Sequence, residues 1–107
     1  MKLAILSAAT ACIVALQPLI SQAADAEGAA LAAKYNCKAC HTESTKLVGP
    51  AYHDVAKKYA GDSSAGAKLA AKIKSGGSGT WGPIPMPPNN VPDADLKKLV
   101  DYVLSQG

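Results

Sequence analysis

Three residues in the first half of the chain have the types and spacing for a covalently held cofactor. Cys37 and Cys40 are three positions apart, and His41 follows the second cysteine directly. On a helical turn the two thiols share one face, where each can add to a porphyrin vinyl group and form a thioether. The His41 imidazole projects toward the same group and can bind its iron. The motif therefore predicts one covalent haem c with His41 as an iron ligand.

Three other kinds of site use cysteines at this spacing, and each has a requirement that the sequence meets poorly. A zinc site needs a second pair of ligands, and His53 is the only further candidate in the domain. A thioredoxin-like dithiol needs a strand–helix–strand pattern, which is missing. A disulfide between Cys37 and Cys40 would close so short a loop that it would constrain little of the chain. Haem attachment is the favoured hypothesis.

Met86 is the predicted second iron ligand. It lies in a proline-rich strip, Gly82–Asn89, whose restricted φ angles make the chain stiff and extended. A thioether ligand suits an electron carrier because it favours ferrous iron and raises the reduction potential. The alternative roles are a gap-filling apolar side chain for Met86 and ligation by His53. His53 falls beside Asp54 on the polar side of a predicted helix, which favours a solvated surface role.

The first 23 residues resemble a secretory signal. Lys2 supplies the positive start, Leu3–Leu16 is an apolar run, and Met1–Ala23 ends in a small-x-small cleavage site. We therefore expect cleavage after Ala23 or the next alanine, a mature domain of residues 24–107 and a periplasmic location. An uncleaved anchor or an acylated Cys12 are the alternatives, but the run is short of the roughly 20 residues of a membrane span.

The composition limits both the core and the partners. Removing 23 of the 107 residues leaves 84, with no Phe and one Trp, so the core needs a disulfide, a metal or a large cofactor. All eleven basic residues are Lys. This composition excludes a typical nucleic-acid-binding face, which would be denser and richer in Arg. The lysines can steer the protein to acidic partners.

The pattern predicts an all-α fold with four helices and one long ordered loop. No segment alternates long enough for a strand. The loop, Ser75–Pro92, contains four Gly and five Pro, yet also Trp81, Ile84 and Met86, which are unusual in a flexible linker. Asp25 and Ser64 are the expected N-caps of the first and third helices. The predicted helices are Ala26–Tyr35, Ala51–Ala60, Ala65–Lys74 and Ala94–Ser105.

The whole of the expected mature domain resembles the small bacterial class I cytochromes c of the c551/c552 type. The resemblance is carried by Cys37–His41, Val48–Tyr52, Ala56–Gly61 and above all Trp81–Asn89, which reads Trp-Gly-Pro-Ile-Pro-Met-Pro-Pro-Asn. It implies a class I cytochrome c fold wrapped around one haem. It also implies a transient single-electron carrier between respiratory partners, such as nitrite reductases, terminal oxidases or ammonia-oxidising chains.

The resemblance also assigns roles to individual residues. Cys37 and Cys40 would hold the haem, and His41 and Met86 would be its axial ligands. The Pro50 carbonyl would accept a hydrogen bond from the second nitrogen of His41, the Trp81 indole would bond a haem propionate, and Asn89 would bond near the Met86 sulfur.

One of the departures from the family's pattern bears on the last helix, and one alternative bears on the function. Pro92 stands where relatives usually have Ser or Thr, so capping of the last helix is assigned to Asp93. The expected state is a monomer without enzymatic activity. A haem enzyme or gas sensor with a labile second ligand is the alternative, although no distal His, Arg or acid is recognisably placed.

Overall fold

Four α-helices and one short 3-10 helix form the protein in the computed structural model, which describes residues 17–107. Residues 1–16 of the predicted signal lie outside the described residues. The helices are α1 (Gln17–Lys34), α2 (Tyr52–Lys58), α3 (Ala65–Ser75) and α4 (Asp93–Leu104), and the 3-10 turn is Cys37–Ala39. Within residues 17–107 there are two isolated β-bridges and no strand. The predicted all-α class is confirmed.

α4 is the element around which the others pack. It contacts α1, α2 and α3, because its apolar residues recur at spacings of three and four and cover more than one face. Leu96, Leu99, Val100 and Val103 of α4 are buried. Tyr102 of α4 belongs to the same core cluster. The other members come from α1, α2 and the loop before α4: Ala32, Tyr52, Val55 and Val91. No helix in the described part of the chain is long and apolar enough to cross a membrane.

α1 starts earlier than predicted and does not use Asp25 as its cap. Within the described residues it already runs from Gln17, well before Asp25, and an alanine-rich sequence carries it forward. The Asp25 carboxylate instead accepts a hydrogen bond from the Ser105 hydroxyl at 3.2 Å. The helix ends at Lys34, and Asn36 adopts a left-handed conformation with φ 61°, which turns the chain toward the cysteines.

The other two predicted caps also differ from the structure. Ser64 precedes α3 but makes no side-chain capping bond; its hydroxyl donates to the Asp62 carboxylate at 2.6 Å. Pro92 occupies the N-cap position of α4, again without a side-chain bond. Asp93, the expected cap, accepts a hydrogen bond from Lys74 on α3 instead. Ion pairing with a neighbouring helix replaces local capping here, and it links α3 to the start of α4.

The segment between α3 and α4 is an ordered loop, as predicted. Residues 76–92 contain no helix or strand, and four glycines in it have positive φ: Gly76, Gly77, Gly79 and Gly82. Two backbone bonds join Gly77 to Met86, and the Asn89 N–H donates to the Ile73 carbonyl at 2.9 Å. The loop therefore folds back against the carboxyl end of α3 and returns Met86 toward the helices.

Candidate functional site

A tight turn brings the two cysteines and His41 together. The Cys37 carbonyl accepts hydrogen bonds from the N–H of Cys40 at 3.2 Å and of His41 at 3.0 Å. Both thiols are free and half-buried, and Cys37 packs against the core. Burial raises the pKa of the Cys37 thiol.

The His41 imidazole is held on several sides. Its Nδ1–H donates to the Pro50 carbonyl at 2.8 Å, which leaves Nε2 as the nitrogen available to a metal. The Tyr52 ring stacks on it with centroids 5.5 Å apart and an interplanar angle of 20°. A Cβ at position 49 would lie 2.7 Å from Nδ1 and 2.9 Å from Nε2. Gly49 thus allows the backbone to approach the ring closely.

His41 and Met86 line the same cavity as the two cysteines. The cavity has a volume of about 340 Å³ and is walled mainly by apolar side chains. The apolar walls come from α2, α3, α4 and the loop: Val55, Tyr59, Leu69, Ile73, Leu99, Val100, Val103, Pro83 and Pro85. The cavity is apolar and offers two thiols, one free imidazole nitrogen and one thioether. These donors and this apolar lining fit a haem.

Trp81 lies on the rim of this cavity, where its side chain is 44% exposed. Lys58 lies over the indole, with Nζ 5.3 Å from the ring centroid, a cation–π contact that helps to hold the ring. Lys72 from α3 also lines the cavity. An indole N–H and a lysine at the mouth of a haem-sized cavity are suitable donors for a carboxylate such as a propionate.

Asn89 has a different partner from the one that the resemblance implies. Its side-chain Nδ2 donates to the Pro87 carbonyl at 2.9 Å, and the residue is not among those that line the cavity. The bond closes the turn that follows Met86. Asn89 therefore acts here on the backbone of the strip that carries Met86.

His53, the alternative ligand, lies away from the cavity. It is exposed on α2, and its Nδ1–H donates to the Gln106 carbonyl at 2.8 Å. Among residues 17–107 no three His, Cys, Asp or Glu side chains come close enough to hold a metal ion. The structure thus places His53 in a contact between α2 and the C-terminal residues.

Three contacts were missed from sequence. The stacking of Tyr52 on His41 gives no signal in the sequence, because Tyr52 reads only as an apolar position of α2. Gly49 does give a signal in the sequence, because it directly precedes Pro50. Its φ is not positive, so position 49 needs a small residue for steric reasons. The close approach of Gly76 to the Met86 strip was also missed, because the sequence shows Gly76 only as one of several glycines in the loop.

The similarity to known proteins agrees with this geometry. The family model described as cytochrome c matches residues 26–107. The chain belongs to the cytochrome c family. Cytochrome c-552 of Hydrogenobacter thermophilus is 59% identical over 75 residues, which cover 70% of this chain and 76% of that protein. Cytochrome c-551 of Pseudomonas aeruginosa is 50% identical over 95 residues, covering 88% of this chain and 91% of that protein.

The solved structures agree on the fold of this cytochrome c. The crystal structure of Nitrosomonas europaea cytochrome c552 superposes with a TM-score of 0.71 at 57% identity. The match covers 74% of this chain and 99% of that one. The predicted class I fold is therefore confirmed. Membership of the family implies a covalently attached haem c and a role in electron transport.

Proposed function

We propose that this cytochrome c carries one haem c and transfers single electrons between larger redox proteins of the periplasm. The observation that supports it most directly is the shared cavity, lined by both thiols, by His41 and by Met86. These residues are separated by up to 49 positions in sequence, yet the fold brings them to one apolar space of about 340 Å³. Together they supply two attachment points and two axial ligands.

Each residue has a distinct role in this proposal. Cys37 and Cys40 form the thioethers, and His41 binds iron through Nε2 while Pro50 holds Nδ1. Met86 supplies the second axial ligand. These residues would hold a haem, which supplies one-electron chemistry when bound, and the thioether of Met86 would raise its potential. With both axial positions filled by the chain, no coordination site is left for a substrate, so we propose no enzymatic activity.

The loop residues are proposed to orient the cofactor and its ligand. The Trp81 indole N–H bonds a propionate at the cavity mouth, with Lys58 holding the ring from its other side. Asn89 acts through the Pro87 carbonyl, and so it limits the freedom of the strip that carries Met86. Rigid ligands favour electron transfer because the geometry then changes little between the two oxidation states.

The distribution of ion pairs supports an acidic redox partner. Of the ten lysines among residues 17–107, five form ion pairs with carboxylates: Lys34, Lys68, Lys74, Lys97 and Lys98. The other five have no ion pair among the described residues, and all lie between positions 38 and 72: Lys38, Lys46, Lys57, Lys58 and Lys72. Lys46 and Lys72 line the proposed haem cavity. This unneutralised charge would guide acidic partners to the haem side.

Exposed apolar side chains complement these lysines. Val48, Trp81 and Ile84 line the cavity and are 53%, 44% and 63% exposed. An apolar rim within a basic surround suits a transient complex, in which charge speeds encounter and a small apolar contact allows rapid release. We propose that electrons enter and leave through this rim, and that the protein acts as a monomer.

A periplasmic location rests on the signal proposed for Met1–Ala23. Cleavage after Ala23 would leave residues 24–107 as the mature domain and would remove residues 17–23 from α1. The intact mass of the protein purified from periplasm would identify the first residue and the added haem. A mass matching the full chain would contradict the signal.

The spectrum of the haem-loaded protein tests the proposed ligands. We expect a low-spin c-type spectrum with the weak far-red band of a sulfur–ferric iron bond, lost in Met86→Ala and kept in the control His53→Ala. High-spin iron without the band would favour a haem enzyme or gas sensor. Protein without covalent haem, from a host able to attach it, would contradict the proposal altogether.

A further inference from the structure

The backbone of Met86 is bound to the turn that ends α3. The Gly77 N–H donates to the Met86 carbonyl, and the Met86 N–H donates to the Gly77 carbonyl, both at 2.9 Å. Three residues further on, the Asn89 N–H donates to the Ile73 carbonyl at 2.9 Å. The last of these bonds also satisfies a carbonyl at the helix end that has no partner within α3. The strip is thus fixed at the ligand residue and again just beyond it.

Gly76 lies directly against this strip, with no room for a side chain. Its φ is 67° and its ψ −161°, a combination open essentially to glycine alone. A Cβ there would lie 2.9 Å from both the Pro87 carbonyl carbon and the Pro88 nitrogen, and nearer still to the Met86 carbonyl oxygen. All three are backbone atoms, which cannot rotate away as a side chain could. Any larger residue at position 76 must therefore displace the strip.

We propose that Gly76 and Gly77 form a backbone clamp that sets the reach of the Met86 sulfur, with Gly76 as a positioning residue for this ligand. The inference rests on the proposed ligation of iron by Met86. A methionine side chain is flexible, so its sulfur is held at a constant place only if its backbone is fixed. A side chain at position 76 would push that backbone away, and the strain would be relieved when Met86 releases the iron.

Gly61 separates this effect from general backbone strain. It lies just beyond α2 with φ 78°, so alanine there also strains the backbone. A Cβ at this position would meet no atom within 4 Å, and Gly61 is not among the residues that line the cavity. Gly61→Ala therefore tests backbone strain without touching the Met86 strip.

Competition with imidazole measures the effect in the haem-loaded protein. Ferric Gly76→Ala and Gly61→Ala would be titrated with imidazole, which replaces Met86 on iron, while the far-red band is followed. We expect Gly76→Ala to bind imidazole about tenfold more tightly than the native protein, because Met86 release becomes easier. Gly61→Ala should lose thermal stability but keep the native imidazole affinity. Native affinity in Gly76→Ala, or an equal gain in Gly61→Ala, would overturn the clamp.

Amide hydrogen exchange in the unsubstituted protein tests the clamp even if Gly76→Ala does not fold. A clamp that favours Met86 ligation must in turn be stabilised by it, because coupling is reciprocal. Saturation with imidazole should therefore accelerate exchange of the Gly77 and Met86 amides, whose hydrogen bonds form the clamp. The amides of Leu99 and Val100, within α4, should be unaffected. Unchanged exchange at Gly77 and Met86 would show that the clamp does not depend on the ligand, and would overturn the proposal.

Met86→Ala in the same titration distinguishes the clamp from the ligation on which it rests. If the native protein shows no far-red band and Met86→Ala binds imidazole no more tightly, the ligation itself is wrong and the clamp falls with it. If Met86→Ala binds imidazole more tightly while Gly76→Ala behaves as native protein, Met86 is a ligand and only the clamp is wrong.

Discussion

The crossing of α1 over α4 depends on a single glycine, and substitution there should destabilise the fold in spite of better helix propensity. Gly28 lies in the middle of α1, where the sequence alone marks it as the weak point of the helix. A Cβ at this position would lie 2.8 Å from Cδ2 of Tyr102 and nearer still to its Cβ and Cγ. The Tyr102 Cβ is fixed to the backbone of α4, so the two helices must separate to admit a methyl group.

The magnitude follows from two opposed effects. Alanine is favoured over glycine within a helix by about 1 kcal/mol, whereas overpacking a buried contact costs about 1–3 kcal/mol. The rigid Tyr102 Cβ places Gly28→Ala at the upper end of that cost. We therefore expect a net loss of about 1–2 kcal/mol, equivalent to a fall in Tm of roughly 5–15 °C for a domain of this size.

Gly66 supplies the matched control. It lies in α3, and a Cβ there would meet no atom within 4 Å. Gly66→Ala should therefore stabilise the protein by up to about 1 kcal/mol. The assay is thermal unfolding of the haem-loaded proteins by far-ultraviolet circular dichroism. If Gly28→Ala is as stable as the native protein or more so, α1 and α4 can separate at no cost and the reasoning is wrong.

Two further predictions concern charge. Lys46→Glu should slow electron transfer to an acidic partner several-fold at low salt, and the loss should shrink as salt is added. Lys97→Glu is the control, because Lys97 is paired with Asp101 and does not line the cavity. An equal effect in both variants would contradict steering by the cavity side. Tyr102→Phe should destabilise the protein at pH 7 by about 0.5–1 kcal/mol, because the Tyr102 hydroxyl donates to the exposed Glu43 carboxylate at 2.8 Å. This bond lowers the pKa of Glu43, so its contribution is present above the unfolded pKa of about 4.3 and is lost as pH falls through the lower folded value. Urea unfolding of the native protein and of Tyr102→Phe at pH 7 and at low pH measures this contribution. A difference in unfolding free energy that persists at low pH would refute the linkage.

The sequence predicts α2, α3 and α4 to within three residues at each end because their boundaries depend on local chemistry. Their apolar residues recur at helical spacing, and glycines or prolines follow or precede them. The helical residues before Asp25 are not predictable in this way. Residues 17–24 are mostly compatible with a helix, so nothing local favours Asp25 as the start of α1.

The caps were mispredicted because each capping side chain has a competing partner. Asp93 has the right residue type and position to cap α4, but Lys74 on α3 offers an ion pair across helices. This partner is brought close only by the fold, so it gives no signal in the neighbouring sequence. The competitor of Ser64 is local, because its hydroxyl bonds Asp62 two residues earlier, and such local side-chain bonds compete with capping.

The residues of the proposed site can be named from the sequence, but the contacts that hold them in place cannot. The cysteine–histidine motif has a fixed chemical meaning, and the methionine in a proline-rich strip follows from it. The ring stacked on His41 and the glycines against His41 and Met86 depend on where distant backbone segments approach. They could be recognised only once α2 and the end of α3 had been placed beside the ligands.

The cavity accounts for two features that are otherwise in conflict. The chain is poor in large apolar residues, yet the apolar stripe of α3 is not fully buried: Leu69 and Ile73 are only half-buried and face the cavity. A small domain normally cannot leave such residues exposed, because its core has little stability to spare. A haem in this space would cover both side chains and join α3 to α4 through the cofactor. The cofactor would thus complete the core as well as carry the electron, so the same apolar walls that exclude water from the site also stabilise the fold.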